Sequence, residues 1–269
     1  MKNLKTGQFF GDTTEVIHLN GITLTDTVYT HAKVGWHYHE NAYFTFILEG
    51  KILEGNKKET YHCTSGDLLF HNWQDAHYNI KPAGYTRGFH IEFDPLWFDA
   101  LQINTAAIQG SMKLLHPQLK MSMYQVFKEV KLEEANCGLT VAMLLTGLFS
   151  DMERTQERFS KKIPLWVYKI REVLNDAPTE NWTLFNLAAY LDIHPVHLSR
   201  GFSKYFNCTL GEYLRKIKLG KALSMLTDRT CSLTTIALRS GFSDQSHFIR
   251  SFKDVLYIKP AEYRKLLLK

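Results

Sequence analysis

Two related segments near the C-terminus restrict the fold of this chain more than any other feature, because a repeat must form the same local structure twice. The first segment covers residues 187–202 and the second covers residues 236–252. Matching residues early in the segments lie 49 positions apart, whereas later ones such as Arg200 and Arg250 lie 50 apart, so the second copy has one extra residue in its turn. Each copy contains a short apolar helix, a tight turn and a second helix with an arginine, which is the pattern of a helix-turn-helix.

The second helix of each copy is the candidate for DNA recognition, because the second helix of this motif enters the major groove. We call these two helices the reading helices. In the first copy Leu198, Phe202 and Phe206 recur at helical spacing, so they are predicted to face the core. An arginine on the opposite face can bind both acceptors of a guanine edge, while a salt bridge or a phosphate contact is the alternative. The predicted DNA contacts are Val196, His197, Ser199, Arg200, Ser203 and Lys204 in the first copy and Gln245, Ser246, Ile249, Arg250 and Lys253 in the second.

Charge is divided unevenly along the chain. Residues 160–269 contain 18 Lys and Arg against 9 Asp and Glu, a net charge of +9, whereas residues 1–159 contain 14 against 18, a net charge of −4. This asymmetry predicts that only the C-terminal part meets a polyanion, although an ordinary cationic surface is the simpler alternative.

The segment between the two copies predicts a stiff spacer. A helix from Leu210 to about Leu226 would be roughly 25 Å long. Such a helix could hold the two reading helices about one DNA turn apart, near 34 Å, which would place them in two adjacent major grooves.

The N-terminal part is predicted to be β-rich. Short apolar runs alternate with turn signals such as Gly50 and Gly66, which indicates a barrel or sandwich of many short strands. Residues 118–158 then carry apolar stripes at helical spacing, so two amphipathic helices follow the sheet and either cover it or pair with a second subunit. A polar stretch followed by a proline sets the predicted domains as 1–160 and 161–269.

The C-terminal residues resemble the double helix-turn-helix domain of the AraC/XylS family of bacterial transcription regulators. The resemblance implies a sequence-specific regulator that binds double-stranded DNA, with RNA polymerase as a further partner. Family members have Gly after each reading helix, whereas this chain has Asn207 and Tyr257, and Tyr tolerates a left-handed backbone less well than Asn. The resemblance covers residues 165–267 and rests on Leu198-Ser199-Arg200-x-Phe202-x-x-Tyr205-Phe206, Glu212-Tyr213-Leu214, Ile236-Ala237, Gly241-Phe242-Ser243-Asp244, Phe248-x-Arg250-x-Phe252-Lys253 and Pro260-x-x-Tyr263-Arg264.

The N-terminal part resembles the cupin fold through two partial motifs, so the whole chain is predicted to be α+β, with a cupin-like β-barrel, two following helices and an all-α C-terminal domain. His37 and His39 share one face of a strand, but Tyr43 or a neighbour stands where metal-binding cupins have a glutamate. These two histidines and His77 could hold a metal, yet the missing carboxylate favours a pocket for a small polar effector, such as a sugar. We therefore expect no metal, no cofactor and no catalytic residue. The predicted effector-binding residues are His37, His39, Tyr43, His77, His90 and Glu92.

Three functions remain open at this point. An effector-responsive DNA-binding regulator is predicted; the alternatives are a cupin-type metal-dependent enzyme fused to a DNA-binding module and a regulator whose N-terminal domain only dimerises. The first residues lack the apolar core of a signal peptide, and the four cysteines show no zinc-ligand spacing, so we expect a cytoplasmic homodimer with reduced thiols. The barrel could also be purely structural, with a core filled by Trp36, Tyr43, Phe44, Phe46 and Phe70.

Overall fold

The computed structural model describes residues 1–104, 108, 110–159, 163–176 and 182–269, with the backbone alone at 155–159 and 176. Contacts divide the chain into two compact units, Met1–Glu153 and Arg154–Lys269. The polar stretch at 160–162, on which the predicted domain boundary depends, lies outside the described residues, and so does Pro178, which was expected to follow the first C-terminal helix. The boundary between 160 and 161 therefore stays a prediction.

The N-terminal unit contains two β-sheets. The six-stranded sheet has the order β11-β8-β5-β10-β3-β2 and the five-stranded sheet has the order β1-β4-β9-β6-β7. Strand β1 pairs with β4 in parallel, and the other described pairs are antiparallel. The strands are β1 Lys2–Leu4, β2 Asp12–Leu19, β3 Ile22–Val28, β4 Lys33–His39, β5 Ala42–Glu49, β6 Lys51–Asn56, β7 Thr60–Thr64, β8 Leu68–His71, β9 His77–Ile80, β10 Arg87–Phe93 and β11 Met112–Leu114.

The predicted turns lie where the sequence indicated. Gly50 joins β5 to β6 with a φ of 84°, and a Cβ at this position would lie 2.1 Å from the carbonyl oxygen of Tyr85. Glycine is required here, because any other residue would be strained at this φ and its Cβ would clash with the Tyr85 carbonyl oxygen. Gly66 ends the turn before β8 in the same left-handed region, with a φ of 86°.

The predicted barrel is replaced by two facing sheets that are not closed into a ring among the described strands. Side chains fill the space between the sheets, and facing sheets stand about 10 Å apart. Hydrogen-bonded strands stand only about 4.8 Å apart, so strands that face each other across this interior cannot pair. Tyr43, Phe44, Phe46 and Phe70 are buried, as the core-filling alternative expected, but Trp36 is 45% exposed. The filled interior holds the two sheets as a sandwich.

Three helices accompany the strands in the described residues: α1 Pro95–Ala100, α2 Pro117–Leu132 and α3 Cys137–Phe159, the last of which continues past the end of the N-terminal unit at Glu153. Helix α2 packs on the six-stranded sheet, where Tyr124 meets Phe46 edge-on with 4.7 Å between ring centroids. From α3, Phe149 inserts beside Phe44 with 5.3 Å between the ring centroids. The two predicted amphipathic helices therefore exist, and each has a face that covers the sheet.

A buried charge network ties α2 to this sheet. Asp26 on β3 is 1% exposed and accepts two hydrogen bonds from the Arg87 guanidinium, at 2.7 and 2.6 Å. Lys131 of α2 lies 2.9 Å from the same carboxylate and also pairs with Glu15. Burial alone would raise the pKa of Asp26, but the hydrogen bonds and charges of Arg87 and Lys131 outweigh burial and hold this pKa below its usual value.

The described residues of the C-terminal unit form seven helices, in agreement with the predicted all-α domain. No helix in the described part of the chain is long and apolar enough to cross a membrane. Thr183 caps α5 through a capping box with Asn186, and the Asp244 side chain caps α9 by accepting from the His247 N–H at 2.7 Å. Spacer helix α7 ends two residues earlier than predicted. The helices are α4 Leu165–Asp176, α5 Leu184–Tyr190, α6 Pro195–Phe206, α7 Leu210–Ser224, α8 Leu233–Arg239, α9 Gln245–Leu256 and α10 Pro260–Leu267.

The core beneath α6 depends on a glycine. Leu198 and Phe202 are fully buried, as their spacing predicted, and Phe206 is nearly so. Gly201 lies against the buried Trp166 of α4, and a Cβ at residue 201 would be 2.7 Å from Cζ2 of that indole. The absence of a side chain therefore lets α4 and α6 approach closely.

Candidate DNA-binding surface and buried histidine cluster

The two turns of the repeat are closed by the same backbone hydrogen bond. In the first copy the Ile193 N–H donates to the Ala188 carbonyl at 3.0 Å, and in the second the Phe242 N–H donates to the Ala237 carbonyl at 3.0 Å. Four residues separate α5 from α6, whereas five separate α8 from α9. The predicted extra residue is present, and Gly241 accommodates the longer turn with a φ of 85°.

Helix α6 places all six of its predicted DNA contacts on the surface. Val196 is 51% exposed, although it is apolar, and it lies in the first turn of the helix. The guanidinium of Arg200 points away from the Phe202 core, and the Lys204 ammonium lies 5.6 Å from the centroid of the Tyr205 ring. The exposed set is Val196, His197, Ser199, Arg200, Ser203 and Lys204.

Helix α9 presents its predicted contacts less uniformly. Ser246, Arg250 and Lys253 are exposed, whereas Gln245 and Ile249 are half-buried. The Gln245 side-chain oxygen accepts a hydrogen bond from the Thr234 hydroxyl of α8 at 2.6 Å. Its side-chain amide nitrogen remains available to an external partner, so Gln245 both joins the two helices and faces outward.

The cations on these two faces form no close ion pair. In the part of the chain that the structure describes, Arg200, Lys204, Arg250 and Lys253 take part in no ion pair. The charge of Arg250 does act on Asp244, where it adds to the hydrogen bond from the His247 N–H in lowering the pKa of that carboxyl. Positive charge that no ion pair holds suits contact with phosphate or with guanine acceptors.

Both reading helices end in the left-handed conformation. Asn207 has a φ of 58° and Tyr257 a φ of 59°, and each backbone N–H donates to a carbonyl of the preceding turn. Both helices therefore end in the left-handed conformation that glycine adopts most easily, and this conformation is less favourable for Tyr257 than for glycine.

The residues predicted to bind an effector lie together between the two sheets. Ring centroids are 4.2 Å apart for His37 and His77 and 4.3 Å apart for His39 and Tyr43, while His90 lies 6.5 Å from Tyr43. All five side chains are buried. We call this group the histidine cluster.

Backbone carbonyls fix the orientation of two imidazoles in the histidine cluster. The Nδ1–H of His37 donates to the Gly35 carbonyl at 2.9 Å, and the Nδ1–H of His77 donates to the Asp75 carbonyl at 3.1 Å. Because a carbonyl only accepts, the Nε2 atom of each neutral ring must carry the lone pair. The Tyr43 hydroxyl donates to the Nε2 of His77 at 3.1 Å.

Burial favours the neutral form of the imidazoles in the histidine cluster. It lowers the pKa of His77 to about 3, reinforced by the neighbouring His37, and lowers the pKa of His90 to about 3. Burial also raises the pKa of Glu54, on β6, to about 8, although the hydrogen bond from the Asn79 side chain acts in the opposite direction.

An N-terminal cover, residues 5–11 between β1 and β2, closes the histidine cluster. Phe9 stacks on the His90 ring with 3.7 Å between centroids and an interplanar angle of 10°. Glu92, the sixth predicted effector-binding residue, instead accepts a hydrogen bond from the Gly7 N–H and so fastens the cover to β10. Burial raises the pKa of Glu92 to about 7, opposed by this bond.

Comparison with known proteins defines the C-terminal unit. Residues 187–266 match the family model described as a helix-turn-helix domain. This segment is a helix-turn-helix domain. The probable transcription factor PqrA of Proteus vulgaris is 44% identical over 69 residues, which are 26% of this chain and 57% of that protein. The chain thus spans a little over half the length of this relative.

Two further similarities extend beyond the helix-turn-helix domain. The uncharacterized HTH-type transcriptional regulator YbfI of Bacillus subtilis is 26% identical over 225 residues, covering 78% of this chain and 80% of that protein. The structure of ToxT from Vibrio cholerae aligns with 91% of this chain and 99% of its own, at 15% identity and a TM-score of 0.39.

Two residues beside the histidine cluster, His71 and Glu54, were not predicted from the sequence as site residues. His71, at the end of β8, stacks on Tyr43 with 4.3 Å between ring centroids. Its Nε2 lies 3.4 Å from Oε1 of Glu54. Neither residue belongs to a motif, and the only signal was a single polar residue at the end of the apolar run 68–70.

The free volume of the N-terminal unit lies mainly outside the histidine cluster. The cavity within the cluster measures about 20 Å³, which is room for a single water rather than for a sugar. A separate cleft of about 740 Å³ has a floor that includes Phe93, Phe98 and Phe149, with Asp75 and Lys58 at its edges. Its volume falls within the range of about 300–1,000 Å³ usual for small-molecule sites.

Proposed function

We propose that this chain is a sequence-specific, DNA-binding regulator of transcription that inserts α6 and α9 into two adjacent major grooves. The observation that carries the proposal is the pair of equivalent turns, each closed by the same hydrogen bond and each followed by a helix with an exposed arginine. Arg200 and Arg250 occupy matching positions, so both helices would offer a bidentate donor to a guanine edge.

The roles of the two faces follow from their chemistry. Val196 and Ile249 would contact thymine methyl groups, while Gln245 would read an adenine through its amide. Lys204 and Lys253, further along each helix, would bind phosphates and set the register. Helix α7, with 15 residues, is about 22 Å long and would be the spacer between the two helix-turn-helix copies.

Selection of bound sequences from random DNA tests this proposal directly. Full-length protein should enrich two conserved half-sites about one helical turn apart. Arg200→Ala should relax one half-site and Arg250→Ala the other. The matched control is Arg229→Ala, an exposed arginine between α7 and α8, which should leave both half-sites unchanged. Enrichment of no sequence, or of the same sequences by all variants, would refute the proposal.

We further propose that a small-molecule effector binds in the N-terminal unit, within the 740 Å³ cleft. An aromatic floor suits a flat apolar body, and the charged edges suit polar substituents. The histidine cluster, which was predicted as the effector site, has space for about one water in this conformation. We assign no catalytic residue to either place.

Thermal-shift screening separates the two effector sites. Ala42 lines the cleft, and the adjacent Tyr43 points into the histidine cluster, so Ala42→Leu should narrow the cleft alone. A compound that stabilises the wild type and the His37→Ala/His77→Ala variant, but not Ala42→Leu, binds the cleft. The reverse pattern would return the effector to the histidine cluster.

We propose a homodimer formed through the outer face of α3. Leu139 and Met143 are four residues apart on this helix and each is 67% exposed. Light scattering should show a dimer that Leu139→Glu/Met143→Glu converts to a monomer. Leu96→Glu changes an equally exposed leucine on α1 and should leave the dimer intact. A monomeric wild type, with and without DNA, would exclude the dimer.

Once bound at a promoter, the regulator would act on RNA polymerase.

A further inference from the structure

We propose that Glu54, His71 and His77 form a binding site for a divalent transition-metal ion of the zinc class. The site is separate from the DNA-binding surface, and the proposal does not depend on the function proposed above. It rests on the geometry, burial and hydrogen bonding of three side chains that no motif connects.

The three side chains converge from both sheets. Glu54 lies on β6 and His77 on β9 of the five-stranded sheet, whereas His71 lies on β8 of the six-stranded sheet. Their ligand atoms all lie within 4.8 Å of one another, and the three side chains are at most 4% exposed. The 3.4 Å between Nε2 of His71 and Oε1 of Glu54 equals the edge of a tetrahedron whose ligands stand about 2.0–2.1 Å from zinc.

Two of the three ligands, His77 and Glu54, are held by hydrogen bonds in orientations that suit metal binding. His77 donates its Nδ1–H to the Asp75 carbonyl, which leaves the Nε2 lone pair facing inward, as in metal-bound histidines. Asn79 donates to Oε2 of Glu54 at 3.1 Å, so Oε1 is the oxygen directed towards His71. Carboxylate and imidazole with such partners are ligands that zinc accepts.

Unsatisfied hydrogen-bonding capacity points to an external partner at this place. Neither ring nitrogen of His71 has a hydrogen-bond partner among the described residues. An imidazole buried without a partner is costly, so a group that engages its lone pair would stabilise the fold. A metal ion supplies that partner, and it also places a cation beside a buried carboxylate that no described lysine or arginine pairs with.

Two neighbours complete the site. The Tyr43 hydroxyl donates to the Nε2 of His77 and must turn away when a metal takes that lone pair. The adjacent cavity of about 20 Å³ can hold one water as the fourth ligand. His37 and His39 form an alternative triad with the same His77, but that triad contributes no negative charge to balance a buried dication.

The test uses full-length protein freed of metal and titrated with Zn²⁺ or Co²⁺ alone. We expect one ion per chain and the intense visible absorption of four-coordinate Co²⁺. Glu54→Gln and His71→Gln should each weaken binding by more than about 100-fold, beyond the loss typical of an outer-shell change. His90→Gln, which alters a buried imidazole of the same cluster outside the triad, should retain the metal. Thermal melting of each variant shows whether it folds.

A measurement on the wild type removes dependence on variants. Bound Co²⁺ shifts the exchangeable ring N–H signal of every histidine ligand, so the proposed site should give two such signals. Three shifted signals, or loss of binding in His37→Gln and His39→Gln with retention in Glu54→Gln and His71→Gln, would assign the metal to the other triad and overturn the proposal. Absence of stoichiometric binding by wild-type protein would also overturn it.

Discussion

Replacing Gly201 with alanine tests the close packing of α6 on α4. The new methyl group would lie 2.7 Å from Cζ2 and 3.0 Å from Cη2 of Trp166, and this indole is itself only 8% exposed. A ring held by its own core cannot swing away as the end of a flexible chain can, so the helices must separate or the ring must leave its rotamer.

The expected magnitude is the sum of two opposing effects. Alanine in place of glycine inside a helix gains about 1 kcal/mol of intrinsic helix stability. Overpacking of a close-packed contact costs about 1–3 kcal/mol. Gly201→Ala should therefore lower the free energy of unfolding by about 0–2 kcal/mol. Gly211→Ala is the matched control, since nothing lies within 4 Å of its added methyl group on α7, and it should raise that free energy by up to about 1 kcal/mol.

Thermal unfolding of residues 160–269 resolves the two variants, because 1 kcal/mol corresponds to about 4 °C in a domain of this size. A double-mutant cycle with Trp166→Phe, which removes the two ring atoms in question, should show a coupling energy of about 1 kcal/mol or more between positions 166 and 201. If Gly201→Ala and Gly211→Ala raised the melting temperature equally, or if the coupling energy were zero, the packing argument would be refuted.

Three further predictions concern recognition, acid stability and helix ending. Arg200→Ala and Arg250→Ala should each weaken specific DNA binding by about 1–3 kcal/mol in fluorescence-anisotropy titrations; an equal loss on every sequence would make that arginine a phosphate contact. Asp26→Asn should cost about 3–5 kcal/mol in urea unfolding at pH 7, because it leaves the Arg87 charge buried without its partner. Since the folded pKa of Asp26 lies below 3.8, its contribution is present above that pH and is lost as the pH falls through the folded pKa, so wild type and variant should converge in acid. Tyr257→Gly should raise the free energy of unfolding by about 0.5–1 kcal/mol, because it relieves a left-handed tyrosine at some entropic cost, and a destabilised variant would contradict this.

The C-terminal fold was predictable because its signals are local. Thr183 and Asp244 cap α5 and α9, and Pro195 and Pro260 are the first residues of α6 and α10, positions that these residue types favour. A cap involves residues two or three positions apart, so it can be identified without knowledge of the tertiary structure. The exposed faces of α6 follow from helical periodicity in the same way.

The N-terminal site was only partly predictable because it depends on strand pairing between distant residues. His37 and His39 share a face of β4, so their proximity follows from alternation. The approach of His71 to Glu54 requires β8 to lie beside β5 in one sheet and β6 beside β9 in the other. A sequence pattern does not specify such pairings, and for the same reason the strand pattern alone left the barrel and the sandwich as alternatives.

We expect the N-terminal cover to limit how quickly a ligand reaches the histidine cluster. Phe9 stacks on His90 and Gly7 is hydrogen-bonded to Glu92, so a ligand should enter only after these contacts break. Binding observed in a stopped-flow experiment should then stop accelerating at high ligand concentration, at a plateau equal to the opening rate. Such openings occur within microseconds to seconds. Phe9→Ala should raise that plateau, because it removes the ring that stacks on His90. In the wild type, ligand entry and release would then both be limited by the rate at which the cover opens.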